Sequence, residues 1–231
     1  MENNKKKSLI PKAALIKAWL IWETFPQTCY NYERMMGQVV AHMFSAIIGF
    51  LYKDDPSKRK EVMKREIEFF NVHIEFGSCI LGMAVALEEQ KAMGENIPGE
   101  FITNLKTSLM GPLAGMGDTI WQGVVIPILL AVCIDLTRSG SGNVWGAVIY
   151  AVVIVVAAYA LSYWNFMFGY KAGSEAIMDF LEKGILNKLI KGASIMGCMV
   201  MGGLIVNYVK AVCGLKIVSS TTTYSIQTNF L

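Results

Sequence analysis

The chain has 231 residues, of which 54% are hydrophobic and only 17% are charged, and its mean hydropathy is +0.43. A typical soluble domain is about 45–50% apolar and about 25% charged, so this composition argues against an ordinary water-soluble enzyme. The apolar content excludes a disordered chain, and a net charge of +3 without a long basic block gives no support for nucleic-acid binding.

The charged residues are concentrated near the N-terminus. Residues 1–75 carry 21 charged side chains, whereas residues 119–168 carry only Asp135 and Arg138. We therefore expect an all-α, polytopic membrane protein with broken or re-entrant helices and an N-terminal amphipathic helical region. Its predicted parts are a basic N-terminus with an interfacial amphipathic helix (1–30), short or re-entrant membrane segments with a charged surface helix and a glycine-rich break (31–118), transmembrane helices (119–215) and a tail (216–231).

The first predicted helix, Lys12 to Trp22, combines two lysines with large apolar residues. This pattern is typical of a helix in the membrane interface and equally of a packed surface helix. The next apolar segment, Met35 to Tyr52, is 18 residues long. Since a full span needs about 20 apolar residues, it is predicted to be a short span or an embedded half-helix. A charged surface helix is expected from Lys58 to Phe70.

Two interruptions are predicted in the following apolar sequence. Phe76 to Leu87 has only 12 residues before two glutamates, which favours a re-entrant or broken helix. The sequence MGPLAGMGD at 110–118 contains Gly111, Pro112, Gly115 and Gly117, a composition that predicts a non-helical break. Asp118 is then expected to cap the next helix.

Three longer apolar segments complete the chain. Ile120 to Leu136 and Val144 to Phe168 are predicted to be membrane spans. Gly192 to Cys213 is predicted to be a third span whose small residues allow close helix packing. A further helix is expected between the last two spans, over 169–190, and an extended or disordered tail after them.

Polar residues at these breaks are the candidates for a substrate site, because ionisable groups at membrane depth are costly to bury. Carboxylates and amides also suit a sugar, whose hydroxyls need acceptors and donors. The alternatives without a role in substrate binding are a solvated turn around Asn31 and glutamates in water at the membrane interface. The predicted substrate-binding residues are Asn31, Asn71, His73, Glu88, Glu89, Asp118 and Gln122.

No catalytic residue, metal site or cofactor is predicted. The chain has two histidines, 31 residues apart, and lacks a G-x-S-x-G element or a metal-binding motif. Its five cysteines form no C-x-x-C pair, so neither a zinc site nor a disulfide framework is expected.

Five motifs lie in order along the chain: NYERM at 31–35, FFNVH at 69–73, LEEQ at 87–90, MGPLAGMGD at 110–118 and KGASIMGCMVMGGL at 191–204. Together they resemble enzyme IID of the mannose/fructose/sorbose-type phosphotransferase system, over about residues 15–215. The glycine-rich motif with its Asp is the most specific of the five.

The resemblance implies a multi-pass subunit that works with enzyme IIC to carry a hexose or related sugar across the bacterial cytoplasmic membrane. It implies that IIA and IIB phosphocarriers phosphorylate the sugar, and that IID itself holds no phosphohistidine. It further implies a hetero-oligomer of IIC–IID pairs that share the sugar site, in which Gly115 and Gly117 would permit close approach.

Two departures from the family pattern and two alternatives qualify this expectation. The family usually has a proline soon after the FFN-x-H element, where this chain has Ile74–Glu75. Family members also continue past residue 231 into a segment rich in proline and apolar residues, so the chain is expected to be short for the family. The alternative functions are a scaffold for IIC that touches no sugar and a secondary carrier that needs no phosphotransfer.

Overall fold

Helices dominate the computed structural model, which describes residues 8–139, 144–175, 195, 216–218 and 223–225. The helices are α1 (Lys12–Thr24), α2 (Gly37–Ser45), α3 (Ile48–Leu51), α4 (Pro56–Glu66), α5 (Ile74–Ala92), α6 (Gly99–Gly117), a π-helix (Asp118–Val125), α7 (Ile126–Ser139) and α8 (Trp145–Glu175). Two short strands, β1 (Lys216–Val218) and β2 (Thr223–Ser225), pair antiparallel. The predicted helical class is confirmed, with this small hairpin as an addition inside the predicted tail.

The first helix is packed into the molecule through its aromatic residues. Trp19 and Trp22 are buried where α1 meets α5 and α8. The opposite face of α1 exposes Lys17 and Leu20. One face of this helix is therefore packed against the rest of the protein.

The apolar segment at 35–52, predicted to be a short span or an embedded half-helix, contains two short helices. It forms α2 and α3, separated by Ala46 and Ile47. The charged helix that follows begins at Pro56, where the Asp55 carboxylate accepts a hydrogen bond from the Lys58 backbone amide at 3.0 Å. A capping acid followed by proline at the first helical position is a strong helix start. This helix ends at Glu66, earlier than the predicted end at Phe70.

The segment at 76–87, predicted to be a re-entrant or broken helix, has no break. Helix α5 continues through 19 residues, from Ile74 to Ala92. It does not stop at Glu88 and Glu89 because both carboxylates are buried with partners from other parts of the chain. At 1.5 Å per residue the helix is about 28 Å long.

The prediction of a non-helical break at 110–118 is wrong. From Gly99 to Ser139 the helical segments α6, the π-helix and α7 follow one another directly, with Pro112 inside α6. Asp118 is helical, at φ −59° and ψ −39°, and its side chain makes no capping bond. Proline and glycine are tolerated in membrane-spanning helices where a local π-helical turn restores the backbone hydrogen bonds. The motif therefore changes the winding of the helix and does not end it.

Among the residues that the structure describes, two helices are long and apolar enough to cross a membrane: Gly99–Thr137 with 39 residues and Trp145–Gly173 with 29. Only 11% of the residues in the most apolar window of each are buried, unlike the core helix of a soluble protein. They contain most of the predicted spans at 120–136 and 144–168, and the first of them runs through the boundary expected at 118/119. The predicted third span, with its small-residue spacing, and most of the predicted helix at 169–190 lie outside the described residues.

Candidate functional site

A cavity of about 540 Å³ lies where the start of α5 meets the π-helix. Its volume falls within the range of about 300–1,000 Å³ that is usual for small-molecule sites. Four of the seven predicted site residues, Asn71, His73, Asp118 and Gln122, meet there. The remaining lining residues are Gln27, Met36, Val72, Ile74, Glu75, Ala114, Trp121 and Ile126.

The start of α5 places His73 and Glu75 on the cavity wall. His73 has extended backbone, φ −64° and ψ 132°, and its carbonyl accepts a hydrogen bond from the Gly77 amide at 2.7 Å. Its imidazole is buried, with Nδ1 at 2.9 Å from the Glu75 carboxylate but without hydrogen-bond geometry. Glu75 lies in the first turn of the helix, where the helix dipole stabilises a negative charge.

The π-helix supplies the opposite wall. Asp118, Trp121 and Gln122 line the cavity from this segment, and the indole of Trp121 is buried. Single turns of π-helix are rare and frequently occur at functional sites. The glycine-rich motif contributes through Gly117, because its Cα lies against the His73 ring with no room for a side chain.

Asn71 is held in place by a neighbour from the turn after α1. Its Oδ1 accepts a hydrogen bond from the Tyr30 hydroxyl at 3.1 Å, and its backbone amide lies 3.0 Å from the Met110 sulfur. The Tyr30 hydroxyl therefore helps to position the amide side chain of Asn71.

Asn31 does not reach the cavity. Its Oδ1 accepts hydrogen bonds from the amides of Glu33 and Arg34, at 3.1 and 2.9 Å, and so shapes a turn that leaves Tyr32 fully exposed. The adjacent Glu33 and Arg34 side chains pair with each other at 3.2 Å. The alternative of a solvated turn describes this motif correctly.

The two adjacent glutamates, Glu88 and Glu89, are also outside the cavity lining and serve different parts of the fold. Glu88 is fully buried and accepts hydrogen bonds from the Arg65 guanidinium, including one from Nε at 2.9 Å. Glu89 accepts from the backbone amides of Leu9 and Ile10, at 2.7 and 3.0 Å. The two carboxylates therefore point in different directions, and neither the predicted substrate site nor the alternative of glutamates in water describes these buried contacts.

Sequence reasoning missed Glu75, Gln27 and Trp121 as lining residues. Glu75 left a visible signal, because it lies where the family usually has a proline. Glu23 was also missed. Its carboxylate interacts electrostatically with Glu75 and His73, and burial raises its pKa to about 7.

The lining has the chemistry of a site for a neutral polyhydroxylated ligand. Two carboxylates, an imidazole and three side-chain amides offer acceptors and donors, and none of the described lysines or arginines lines the cavity. Within the described ranges, no group of three His, Cys, Asp or Glu side chains is placed to hold a metal ion.

The chain is similar to known proteins over most of its length. The family description "PTS system mannose/fructose/sorbose family IID component" matches residues 9–231. The mannose-specific EIID component of Escherichia coli K12 is 38% identical over 181 residues, which are 78% of this chain and 62% of that protein. The fructose permease IID component of Bacillus subtilis is 33% identical over 201 residues, or 87% of this chain and 71% of that protein.

Solved structures show the same relationship. A chain in the cryo-EM structure of the mannose transporter ManYZ with microcin E492 superposes with a TM-score of 0.77 at 30% identity, covering 96% of this chain and 82% of that one. A structure described as a membrane protein gives a TM-score of 0.65, also at 30% identity, over 95% and 79% of the two chains. These likenesses and the two long apolar helices identify a membrane component. The chain belongs to the IID component family of the mannose/fructose/sorbose phosphotransferase systems.

Proposed function

We propose that this chain acts as the IID subunit of a phosphoenolpyruvate-dependent sugar permease. With enzyme IIC it moves a hexose or related sugar across the bacterial cytoplasmic membrane, as a multi-pass protein in a hetero-oligomer of IIC–IID pairs. IIA and IIB phosphocarriers supply the phosphoryl group, so this chain performs no phosphoryl transfer.

The cavity between α5 and the π-helix is the observation that carries this proposal. It brings together Asn71, His73, Asp118 and Gln122, which are distant in sequence, and adds Glu75. Acceptors and donors without a cation in the lining favour a neutral sugar over a sugar phosphate. In this proposal the cavity is the part of the shared sugar site that IID contributes.

The test is sugar uptake by the complete system. IIC, IIA, IIB and this chain are expressed in cells that lack their own mannose-type permease, and uptake of labelled mannose, fructose and sorbose is measured. Asp118→Asn removes a charged acceptor worth about 1.5–3 kcal/mol, so uptake of the preferred sugar is expected to fall roughly tenfold or more. Glu33→Gln is the control, because Glu33 is exposed on the turn outside the cavity.

Two outcomes would support the alternative functions. Wild-type uptake and sugar binding by Asp118→Asn and Gln122→Ala in a normally assembled complex would indicate a scaffold that touches no sugar. Uptake that persists without phosphoenolpyruvate or without IIA and IIB would indicate a secondary carrier.

A further inference from the structure

Two backbone carbonyl groups at the start of α5 are held by side chains from other helices. The side-chain amide of Asn165 in α8 donates a hydrogen bond to the Glu75 carbonyl oxygen at 3.1 Å. The indole of Trp22 in α1 donates to the Ile74 carbonyl oxygen at the same distance. A carbonyl oxygen has two lone pairs, so it can accept such a bond in addition to one from the helix itself. Because Ile74 and Glu75 line the cavity, both bonds act on its wall.

Asn165 is a buried amide in an apolar helix. It lies within the candidate span Trp145–Gly173, and only 9% of its surface is exposed. The buried positions 162, 165, 166, 169 and 173 form one face of α8. A buried amide is costly unless it is hydrogen-bonded, and polar side chains of membrane helices bond to neighbouring helices for this reason. The Glu75 carbonyl oxygen is an acceptor of this kind for Asn165.

The backbone contact between α8 and α5 continues beyond Asn165. Gly169 lies four residues after Asn165 and directly against the backbone of Cys79, with no room for a side chain. Cys79 in turn lies four residues after Glu75. The two helices therefore run in the same direction with matched spacing, and a displacement of α8 is transmitted to the first turn of α5.

Helix α8 also contacts the helix that continues from the opposite wall. Gly146, near the start of α8, lies against Cys133 and Thr137 of α7 without room for a side chain. Helix α7 follows directly on the π-helix, which supplies Asp118 and Gln122 to the cavity. Helix α8 therefore connects the segments that carry the two walls.

We propose that Asn165 is a positioning residue of the sugar cavity, through which the membrane helix α8 holds the first turn of α5. Asn165 is outside the cavity lining; it acts on the turn from which the side chains of His73 and Glu75 reach the cavity. Hydrogen bonds weaken steeply outside their preferred distances and angles, so a small shift of this turn weakens the contacts to sugar. The effect on sugar rests on the function proposed above, whereas the hold on the turn does not.

Equilibrium binding to the purified IIC–IID complex tests the coupling. The probe is the one of labelled mannose, fructose and sorbose that the wild-type complex binds most tightly. Asn165→Leu removes the amide donor and keeps a side chain of similar size. The Kd should rise about fivefold, the effect of one lost hydrogen bond, while the number of binding sites per complex stays the same. A merely structural defect would instead reduce the number of sites and leave the Kd of the remaining ones unchanged.

Ser162→Ala is the matched control on the same face of α8. The Ser162 hydroxyl oxygen lies 2.7 Å from that of Ser78 in α5, so this variant also breaks a buried hydrogen bond between the two helices. It leaves the bond to the Glu75 carbonyl intact, and the Kd should keep its wild-type value. Asn165→Ala is a second variant without the donor, for use if leucine prevents assembly. A wild-type Kd in either Asn165 variant, or an equal rise in Ser162→Ala, would overturn the proposal.

Hydrogen exchange tests the hold on the turn without any sugar. In Asn165→Leu the amides of residues 77–80, just after the first turn of α5, should exchange faster, whereas those of residues 84–90 should not change. Unchanged exchange at 77–80 would refute the positioning role. A wild-type complex that binds none of the three sugars would count against the proposed function and against the effect on sugar. The exchange result would still decide whether Asn165 holds the turn.

Discussion

Because Gly117 has no side chain, His73 can lie directly against the glycine-rich motif. A Cβ built on Gly117 would lie 2.4 Å from both Cβ and Cγ of His73, whereas a Cβ on Gly111 or Gly115 would meet no atom within 4 Å. The sequence predicted a close approach at Gly115 and Gly117. The structure shows one at Gly117 alone, and the partner it admits is an imidazole of the same chain.

Gly117→Ala should therefore destabilise the protein, although alanine is the better helix former. Forcing a methyl group into this contact should cost about 1–3 kcal/mol, which outweighs the gain of up to about 1 kcal/mol in helix propensity. Gly111→Ala is the matched control on the same helix, and it should be neutral or stabilising. Denaturant unfolding of both variants in detergent measures the difference, and equal stabilities would show that His73 moves aside freely.

The backbones of helices α5 and α8 are in direct contact at glycine residues. A Cβ on Gly82 of α5 would lie 2.1 Å from the Phe166 carbonyl oxygen, and one on Gly169 of α8 would lie 2.0 Å from the Cys79 carbonyl oxygen. Small residues spaced by four, such as Gly169 and Gly173, allow membrane helices to approach in this way. The sequence prediction assigned such packing only to residues 192–213, because a Gly-x-x-x-Gly pair does not identify which helix it faces.

Replacing Gly169 by alanine should loosen this helix pair. The obstacle is a backbone carbonyl, which cannot rotate away like a side chain, so we expect a loss of about 1–3 kcal/mol. Hydrogen exchange should become faster in both α5 and α8 and remain unchanged in α4. Gly49→Ala, with no atom within 4 Å of the added methyl group, is the control. Unchanged exchange in α5 would mean that the two helices separate without cost.

The continuous helical segment from Gly99 to Ser139 is a case in which local sequence signals fail to predict the backbone conformation. Gly and Pro in MGPLAGMGD predicted a non-helical break, but the motif is α-helical as far as Gly117, and a π-helix begins at its last residue, Asp118. Helix propensity alone predicts that the helix ends here. In an apolar helix, continued backbone hydrogen bonding outweighs that preference, since no water is available to satisfy a broken end.

For the molecule as a whole, the long apolar helices that contain residues 120–136 and 144–168 and the family could be predicted from the sequence. Four of the seven predicted site residues line the cavity, because the polar motifs that meet there could be identified in the sequence. Buried charge was not predictable: Glu88 is a plausible sugar ligand until its partner is known. That partner, Arg65, is 23 positions away on another helix, and no local pattern connects the two.

A buried charge network joins α4, α5 and α6. The Arg65 guanidinium donates to Glu88, and the Lys106 ammonium donates to Glu66 at 2.8 Å; all four side chains are at least nine-tenths buried. Arg65 also reaches Glu61 at 3.3 Å, but that carboxylate is largely exposed. The same cation thus has two buried partners, Glu88 and, at 3.8 Å, Glu66, and one solvated partner, Glu61, so the loss of a buried and of a solvated partner can be compared.

Glu88→Gln should lower the free energy of unfolding of the whole chain by about 3–5 kcal/mol, because it leaves the Arg65 charge buried without its main counter-charge. Glu61→Gln, which removes a solvated partner of the same cation, should cost less than about 1 kcal/mol. Denaturant unfolding of both variants gives the two values. If α4, α5 and α6 unfold as one unit, Glu88→Gln should shift the whole transition and not only the signal from α4. Equal effects of the two substitutions would mean that water reaches Arg65, and the network would then contribute no more than a surface ion pair.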